Sequence, residues 1–137
     1  MSDIITAMGS ALFSTLAAGT ALTTALGGTA IYLALAPQGT SPPYVIFNYS
    51  AGGDDNSSPR RARTQTWTVK AVSTTGMKNA AEIDNAVDAL LHEQQLTVTG
   101  WDNYWMARTS DIAYAEQAGG ALYWHVGGQY RIRLAES

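Results

Sequence analysis

The sequence contains no cysteine, which excludes disulfide bonds and thiolate metal sites. Charged residues are also scarce, because they make up 14% of the chain against roughly 25% in a typical soluble domain. A lightly charged surface suits a protein that buries much of itself against neighbouring subunits; a weakly charged monomer is the alternative. The lack of cysteine fits a reducing cytoplasm without fixing the compartment.

Excess positive charge is missing as well. The net charge is −3 and the pI is near 5.1, so the composition has no electrostatic signature of nucleic-acid binding. The start of the chain lacks the basic residues and continuous apolar run of a signal peptide. The longest apolar-leaning stretch, residues 29–36, is too short to span a bilayer. We therefore expect a soluble protein that has no membrane partner.

Residue types that catalyse reactions or bind metals are few and poorly arranged. His92 and His125 are the only histidines, and no zinc-site spacing is present. Asp84 and Asp88 lie one helical turn apart, so their carboxylates can face the same way. We interpret this pair as a solvated or interface-facing edge rather than a catalytic pair. Since neither a phosphate-binding loop nor a nucleophile elbow occurs, the sequence predicts no enzyme, cofactor or metal.

Two segments have the periodicity of amphipathic helices. Residues 3–18 repeat apolar side chains every four positions, with Ser2 as N-cap, and residues 77–93 carry theirs on one face. A short helix over residues 20–26 follows the first and ends at a glycine pair. Gly9, inside the first helix, should cost about 1 kcal/mol relative to alanine.

Runs or alternations of β-branched and aromatic residues predict the strands, which are residues 30–35, 44–49, 65–71, 96–99, 104–114 and 122–134. The last segment keeps one parity across Gly127-Gly128, which indicates either a two-residue turn or a bulge in one long strand, and favours the bulge. The order of elements predicts an α+β fold with a mostly antiparallel sheet and two amphipathic helices on one face. We expect residues 1–137 to form one domain.

Residues 51–59 (AGGDDNSSP) have a composition that argues against regular structure, and we interpret them as the flexible tip of a long protruding β-hairpin. Five residues of both signs flank this tip: Asp54, Asp55, Arg60, Arg61 and Arg63. Opposite charges at one tip favour a subunit contact, in which one tip meets a neighbouring subunit. A solvated loop is one alternative, and a nucleic-acid-binding hairpin that uses Trp67 for stacking is another.

The order of motifs resembles the phage tail-completion family, to which the siphophage tail terminators belong. The motifs are APQG…PYV at residues 36–45, RTQTWTV at residues 63–69, a helix over residues 80–91 and YWHV…YRI at residues 123–132. The resemblance extends over about residues 5–134, and it is poorer for residues 100–117.

This resemblance implies a structural virion protein at the neck end of the tail, assembled in the host cytoplasm. Its subunits would form a hexameric ring that caps the tail tube protein when elongation stops. The ring would offer a joining surface to a head connector or stopper protein, and DNA would pass through its lumen without specific binding. Another neck or head-closure component of a tailed phage is the alternative, followed by a small DNA-binding module.

Overall fold

The computed structural model describes residues 3–55 and 60–137, so Ser2 and residues 56–59 of the predicted tip lie outside the described residues. The described elements are, in chain order, α1 (Ile4–Ala17), α2 (Thr20–Leu26), β1 (Ile31–Leu33), β2 (Tyr44–Asp54), β3 (Ala62–Ser73), α3 (Met77–Leu91), β4 (Thr97–Val98), β5 (Trp101–Ala118) and β6 (Ala121–Glu136). The predicted α+β fold class is confirmed.

The strands form one curled sheet in the order β1-β2-β3-β6-β5-β4. Strands β1 and β2 run parallel, and the other neighbouring pairs are antiparallel. Because the sheet curls, α1 contacts both edge strands, β1 and β4. The mostly antiparallel sheet predicted from the order of elements is confirmed.

The core lies between the helices and one face of the sheet. Helices α1 and α3 bury the apolar stripes that their periodicity predicts. The largest fully buried side chains include Met8, Leu12 and Leu16 of α1, Ile83 and Leu91 of α3, and Phe47, Trp67, Tyr130, Ile132 and Leu134 of the sheet. Burying each such side chain contributes about 1.5–3 kcal/mol, so this layer holds the helices on the sheet.

Helix α1 begins one residue later than the sequence suggests. Asp3 is the N-cap, since its carboxylate accepts hydrogen bonds from the Ile5 N–H at 3.1 Å and the Thr6 hydroxyl at 2.7 Å. Those bonds lower the pKa of Asp3. Among the described helices none is by itself long and apolar enough to cross a membrane; α1 and α2, bent by 79°, meet that criterion only as a pair, by length and composition.

The predicted tip is shorter than its composition suggests, because β2 continues to Asp54. The prediction of no regular structure is therefore wrong for residues 51–54, which pair with residues 63–66 of β3 beyond a bulge at Ser50. A Cβ on Gly52 would overlap the Tyr49 hydroxyl group and lie 2.9 Å from the Thr64 carbonyl oxygen. Gly52 is thus required for close packing in a strand rather than for a turn.

Strand β6 is unbroken and in register through Gly127-Gly128, so the single long strand is confirmed, whereas both the two-residue turn and the bulge at these glycines are wrong. The bulges lie in the facing strand β5, where Tyr104 and Thr109 interrupt the register. A Cβ on Gly127 would overlap the Val69 carbonyl oxygen of β3. Glycine is therefore required at both positions, because atoms of the neighbouring strands leave no room for a side chain.

Candidate assembly surfaces

The N-terminal part of the chain has no charged side chains over a long stretch. Residues 4–53, which form α1, α2, β1 and most of β2, contain no Lys, Arg, Asp, Glu or His. Much of this segment is nevertheless at the surface, since Leu33 and Leu35 are 59% and 81% exposed and Ile5 and Phe13 are each 43% exposed. An exposed apolar surface without charges is typical of a protein–protein contact. The composition shows only that the overall charge is low. The position of this surface follows from the fact that the uncharged residues form one continuous stretch of the chain.

Part of the uncharged surface forms a groove of about 560 Å³ between α1 and β1. Ile5, Gly9 and Phe13 line it from α1, and Ile31 and Leu33 line it from β1. The sheet supplies four aromatic residues to its lining: Tyr32, Phe47, Tyr49 and Trp67. We call this feature the α1–β1 groove; its lining is apolar and aromatic with a few hydroxyl groups and no charge.

The end of the β5–β6 hairpin projects beyond the rest of the sheet. Strand β3 pairs with β6 only as far as Trp124, and β4 pairs only with the first two residues of β5. Residues 115–123, which we call the β5–β6 arm, therefore have no neighbouring strand outside the hairpin among the described residues. Its turn contains Gly119 and Gly120, which both have positive φ, as a tight hairpin turn requires.

The two faces of the β5–β6 arm differ. Tyr123 points to the side where the arm and residues 34–40 line a hollow of about 440 Å³. Leu122 precedes Tyr123 in the same strand, so it points to the opposite side, and it is 43% exposed. Residues 117–124 carry no charge. Glu116, the one charged residue of the arm, lines the hollow, so the Leu122 side of the arm is a second uncharged apolar surface.

Arg108 anchors the bulged part of β5 to α3. Its guanidinium group donates hydrogen bonds to both carboxylate oxygens of Asp84 at 2.9 Å, to Asp111 at 2.8 Å and to the Gly127 carbonyl at 2.7 Å. A Cβ on Gly128 would lie 2.5 Å from the Arg108 Nε atom, which explains the glycine there. Burial disfavours the charge, but hydrogen bonds to Asp84 and Asp111 outweigh it and raise the pKa of Arg108.

Asp84 and Asp88 both face this arginine, as their one-turn spacing predicts. Asp88 accepts a hydrogen bond from the Tyr130 hydroxyl at 2.9 Å and lies 3.7 Å from Arg108. The interpretation of a solvated or interface-facing edge is wrong for Asp84, because its side chain is only 12% exposed and forms a buried ion pair. Sequence reasoning missed this pair because Arg108 lies on another element, with no periodic signal linking it to α3.

His125 belongs to the polar hollow beside the arm. Its ring stacks on Tyr114 with centroids 4.5 Å apart, and its Nε2 atom lies 3.1 Å from a Glu116 carboxylate oxygen. Lys70 donates a hydrogen bond to the Tyr114 hydroxyl at 2.9 Å. Burial lowers the pKa of His125, although Glu116 opposes this shift. No group of three or more metal-ligating side chains occurs within residues 3–55 and 60–137.

The charged residues that flank the tip form ion pairs within the subunit. Asp54 pairs with Arg61 at 2.5 Å, and Arg60 reaches Asp102 at 2.7 Å. Asp55 accepts a hydrogen bond from the Thr64 hydroxyl at 2.9 Å and lies 3.4 Å from Arg133. Arg63 has a buried Nε atom without a hydrogen-bond partner in the described part of the chain. The structure thus brings these five residues to one end of the sheet, and their role as a subunit contact stays a prediction.

Comparisons with known proteins place the chain in a family and match its fold. Residues 10–134 match the family model described as Tail completion protein gp17. The fold is similar to that of a chain from the "Virion of native gene transfer agent (GTA) particle", with 17% identity, coverage of 98% of this chain and 99% of that chain, and a TM-score of 0.83. A second solved chain is 11% identical, covers 93% and 94%, and has a TM-score of 0.56. No curated protein matches the chain significantly in sequence.

Proposed function

Because the chain belongs to the Tail completion protein gp17 family and is therefore a structural protein of a phage tail, we propose that it forms a ring that caps the tail tube. The ring ends elongation of the tube and provides the surface on which the tail joins the head. The chain acts by assembly and has no catalytic role.

The observation that carries this proposal is the pair of unlike uncharged surfaces on one subunit. The α1–β1 groove is concave and the β5–β6 arm projects. When two different surfaces of identical subunits meet, the contact is heterologous and generates a closed ring if the rotation closes. The resemblance in sequence supplies the number six for the ring.

A ring that caps the end of a tube has two binding partners, one on each face. One face of the ring contacts the tail tube protein, and the other meets a head connector or stopper protein. DNA passes through the lumen without specific binding, and the net charge of −3 supports this, since it offers no excess of cations to hold phosphates.

The five charged residues at the tip are proposed to add a polar part to the ring contact. Asp54, Asp55, Arg60 and Arg61 are held by ion pairs or hydrogen bonds within the subunit, which fixes their positions before assembly. Arg63, whose buried Nε atom has no hydrogen-bond partner among the described residues, retains hydrogen-bonding capacity that a group of a neighbouring subunit could satisfy.

Native mass spectrometry and negative-stain images of the purified chain, alone and with tail tubes, test this function. We expect six-subunit rings, either free or at one end of each tube. Arg63→Glu should lower the ring fraction, whereas the same change at the exposed Lys78 should not. A chain that binds only to isolated connectors would favour the head-closure alternative, and a ring fraction unaffected by Arg63→Glu would remove the tip from the contact.

A further inference from the structure

We propose that the α1–β1 groove of each subunit receives the β5–β6 arm of the next copy of the same chain, with Leu122 as the inserted side chain. This inference rests on the proposed function, because it names the contact that repeats around the ring.

The α1–β1 groove has the properties of a docking site that the isolated subunit leaves open. Leu33 and Phe13 are exposed at its sides, and its aromatic lining includes the fully buried Trp67. No charged side chain lines it. An occupant must therefore be apolar and uncharged, because a charge placed there would lose its hydration without gaining a partner.

The edge of the sheet beside the groove is short and partly occupied by local hydrogen bonds. The Ile31 N–H donates to the Thr29 carbonyl at 2.8 Å, and the Leu33 carbonyl accepts from the Leu35 N–H at 2.7 Å. These local bonds occupy outward-facing backbone groups of β1, which has only three residues. Such an edge offers few backbone groups to a pairing strand, so the proposed contact is made by side chains that enter the groove.

The β5–β6 arm is the part of the chain that fits such a groove. Residues 117–124 carry no charge, and Leu122 points away from the polar hollow on the other side of the arm. The arm is preorganised by its tight glycine turn, and Arg108 holds the preceding part of β5, so docking orders little additional chain.

Two further exposed aromatic side chains, Tyr104 and Trp105, are less suited to the α1–β1 groove. Tyr104 and Trp105 line a hollow together with Arg131, Arg133, Thr64 and Asp55, which pairs with Arg133. Docking this surface in the uncharged groove would remove water from two guanidinium groups and a carboxylate, and the groove offers no opposite charge to offset that cost. Of these two surfaces, the Leu122 side of the arm is thus the one that matches the groove in charge.

The positions of the two surfaces fit a head-to-tail contact. The groove is lined by α1, β1 and the facing strands β2 and β3, whereas the arm is formed by β5 and β6, so the two surfaces share no residue. One subunit can therefore give its arm to one neighbour and accept an arm from another, which a closed ring of identical contacts requires.

Disulfide trapping tests this contact cleanly because the chain has no cysteine of its own. Leu33→Cys and Leu122→Cys are combined in one chain, and assembled rings, free or on tubes, are oxidised and analysed without reductant. We expect a ladder of cross-linked species up to the full ring. Mixing the two single variants should give cross-linked dimers only, and Trp105→Cys combined with Leu122→Cys should give no ladder.

Leu122→Asp provides a second measurement. It should weaken ring formation at least about tenfold, because the contact would bury an unpaired carboxylate, whereas Trp105→Asp should leave ring formation intact. Rings that form normally with Leu122→Asp, or that give no cross-link between positions 33 and 122, would overturn the arm-in-groove contact and leave the proposed function standing. If no ring forms even on tubes, the proposed function itself fails.

Discussion

At the scale of single residues, Arg108 joins α3, β5 and β6 through one guanidinium group. It binds Asp84 through two parallel hydrogen bonds, which is the strongest geometry for an arginine–carboxylate pair. Both side chains are largely buried, at 15% and 12% exposure. Breaking such a pair costs more than forming it contributes, because the remaining charge stays buried without a partner.

Arg108→Met should therefore reduce the free energy of unfolding by about 3–5 kcal/mol. Urea unfolding monitored by circular dichroism measures this change. The matched double variant Arg108→Met with Asp84→Leu should lose clearly less stability than Arg108→Met alone, because the most buried of the paired carboxylates is removed together with its partner. A single variant within about 1 kcal/mol of the wild-type chain would show that the anchor has no structural importance.

His125 should make stability depend on pH. Burial lowers its pKa below the ordinary 6.5, so the unfolded chain binds the proton more readily than the folded chain. This contribution is fully present above about pH 6.5 and is lost as the pH falls toward the folded pKa. Lys70 adds to the shift and Glu116 opposes it.

Urea unfolding at pH 7.5 and pH 5.5 measures this effect. We expect His125→Phe, which keeps a ring stacked on Tyr114 but cannot titrate, to lose less stability between these two pH values than the wild-type chain does. Equal losses in the two proteins would mean that His125 does not contribute to the pH dependence.

At the scale of elements, the helices could be predicted because their apolar residues repeat at helical spacing and are buried on one face, as Met8 and Leu12 are. The end of β2 could not be predicted from the sequence, since its glycine and aspartate residues are typical of turns. Position 52 of this strand is a glycine because Tyr49 and Thr64 leave no room for a side chain. Contacts of this kind come from the packed structure, and neither composition nor periodicity reveals them.

Two glycines in different elements should respond oppositely to alanine. Gly9→Ala places a methyl group 3.5 Å from the Trp67 ring, an ordinary contact, and should stabilise α1 by about 1 kcal/mol. Gly128→Ala places one 2.5 Å from Arg108 and 2.8 Å from the Ser110 carbonyl oxygen, and should destabilise the chain by about 1–3 kcal/mol. Thermal unfolding of both variants measures the two shifts, and a stabilising Gly128→Ala would contradict the packing described around Arg108.

At the scale of the whole molecule, the order of motifs was enough to predict the tail-completion family, which the match over residues 10–134 confirms. The surfaces were harder to predict. The charged residues near the tip predict a subunit contact because they are close together in the sequence. The groove is formed by α1, β1 and Trp67, which come together from distant parts of the chain. The absence of charge from residues 4–53 is the signal in the sequence that points to it.

Tube elongation in the presence of the chain tests the central claim most directly. Tail tube protein is polymerised with and without the purified protein in excess, and tube lengths and ends are measured by electron microscopy. We predict short tubes that carry a ring at one end and do not lengthen when more tube protein is added. Tubes that keep growing at the same rate and to the same length, without a ring at either end, would contradict a tail-capping function.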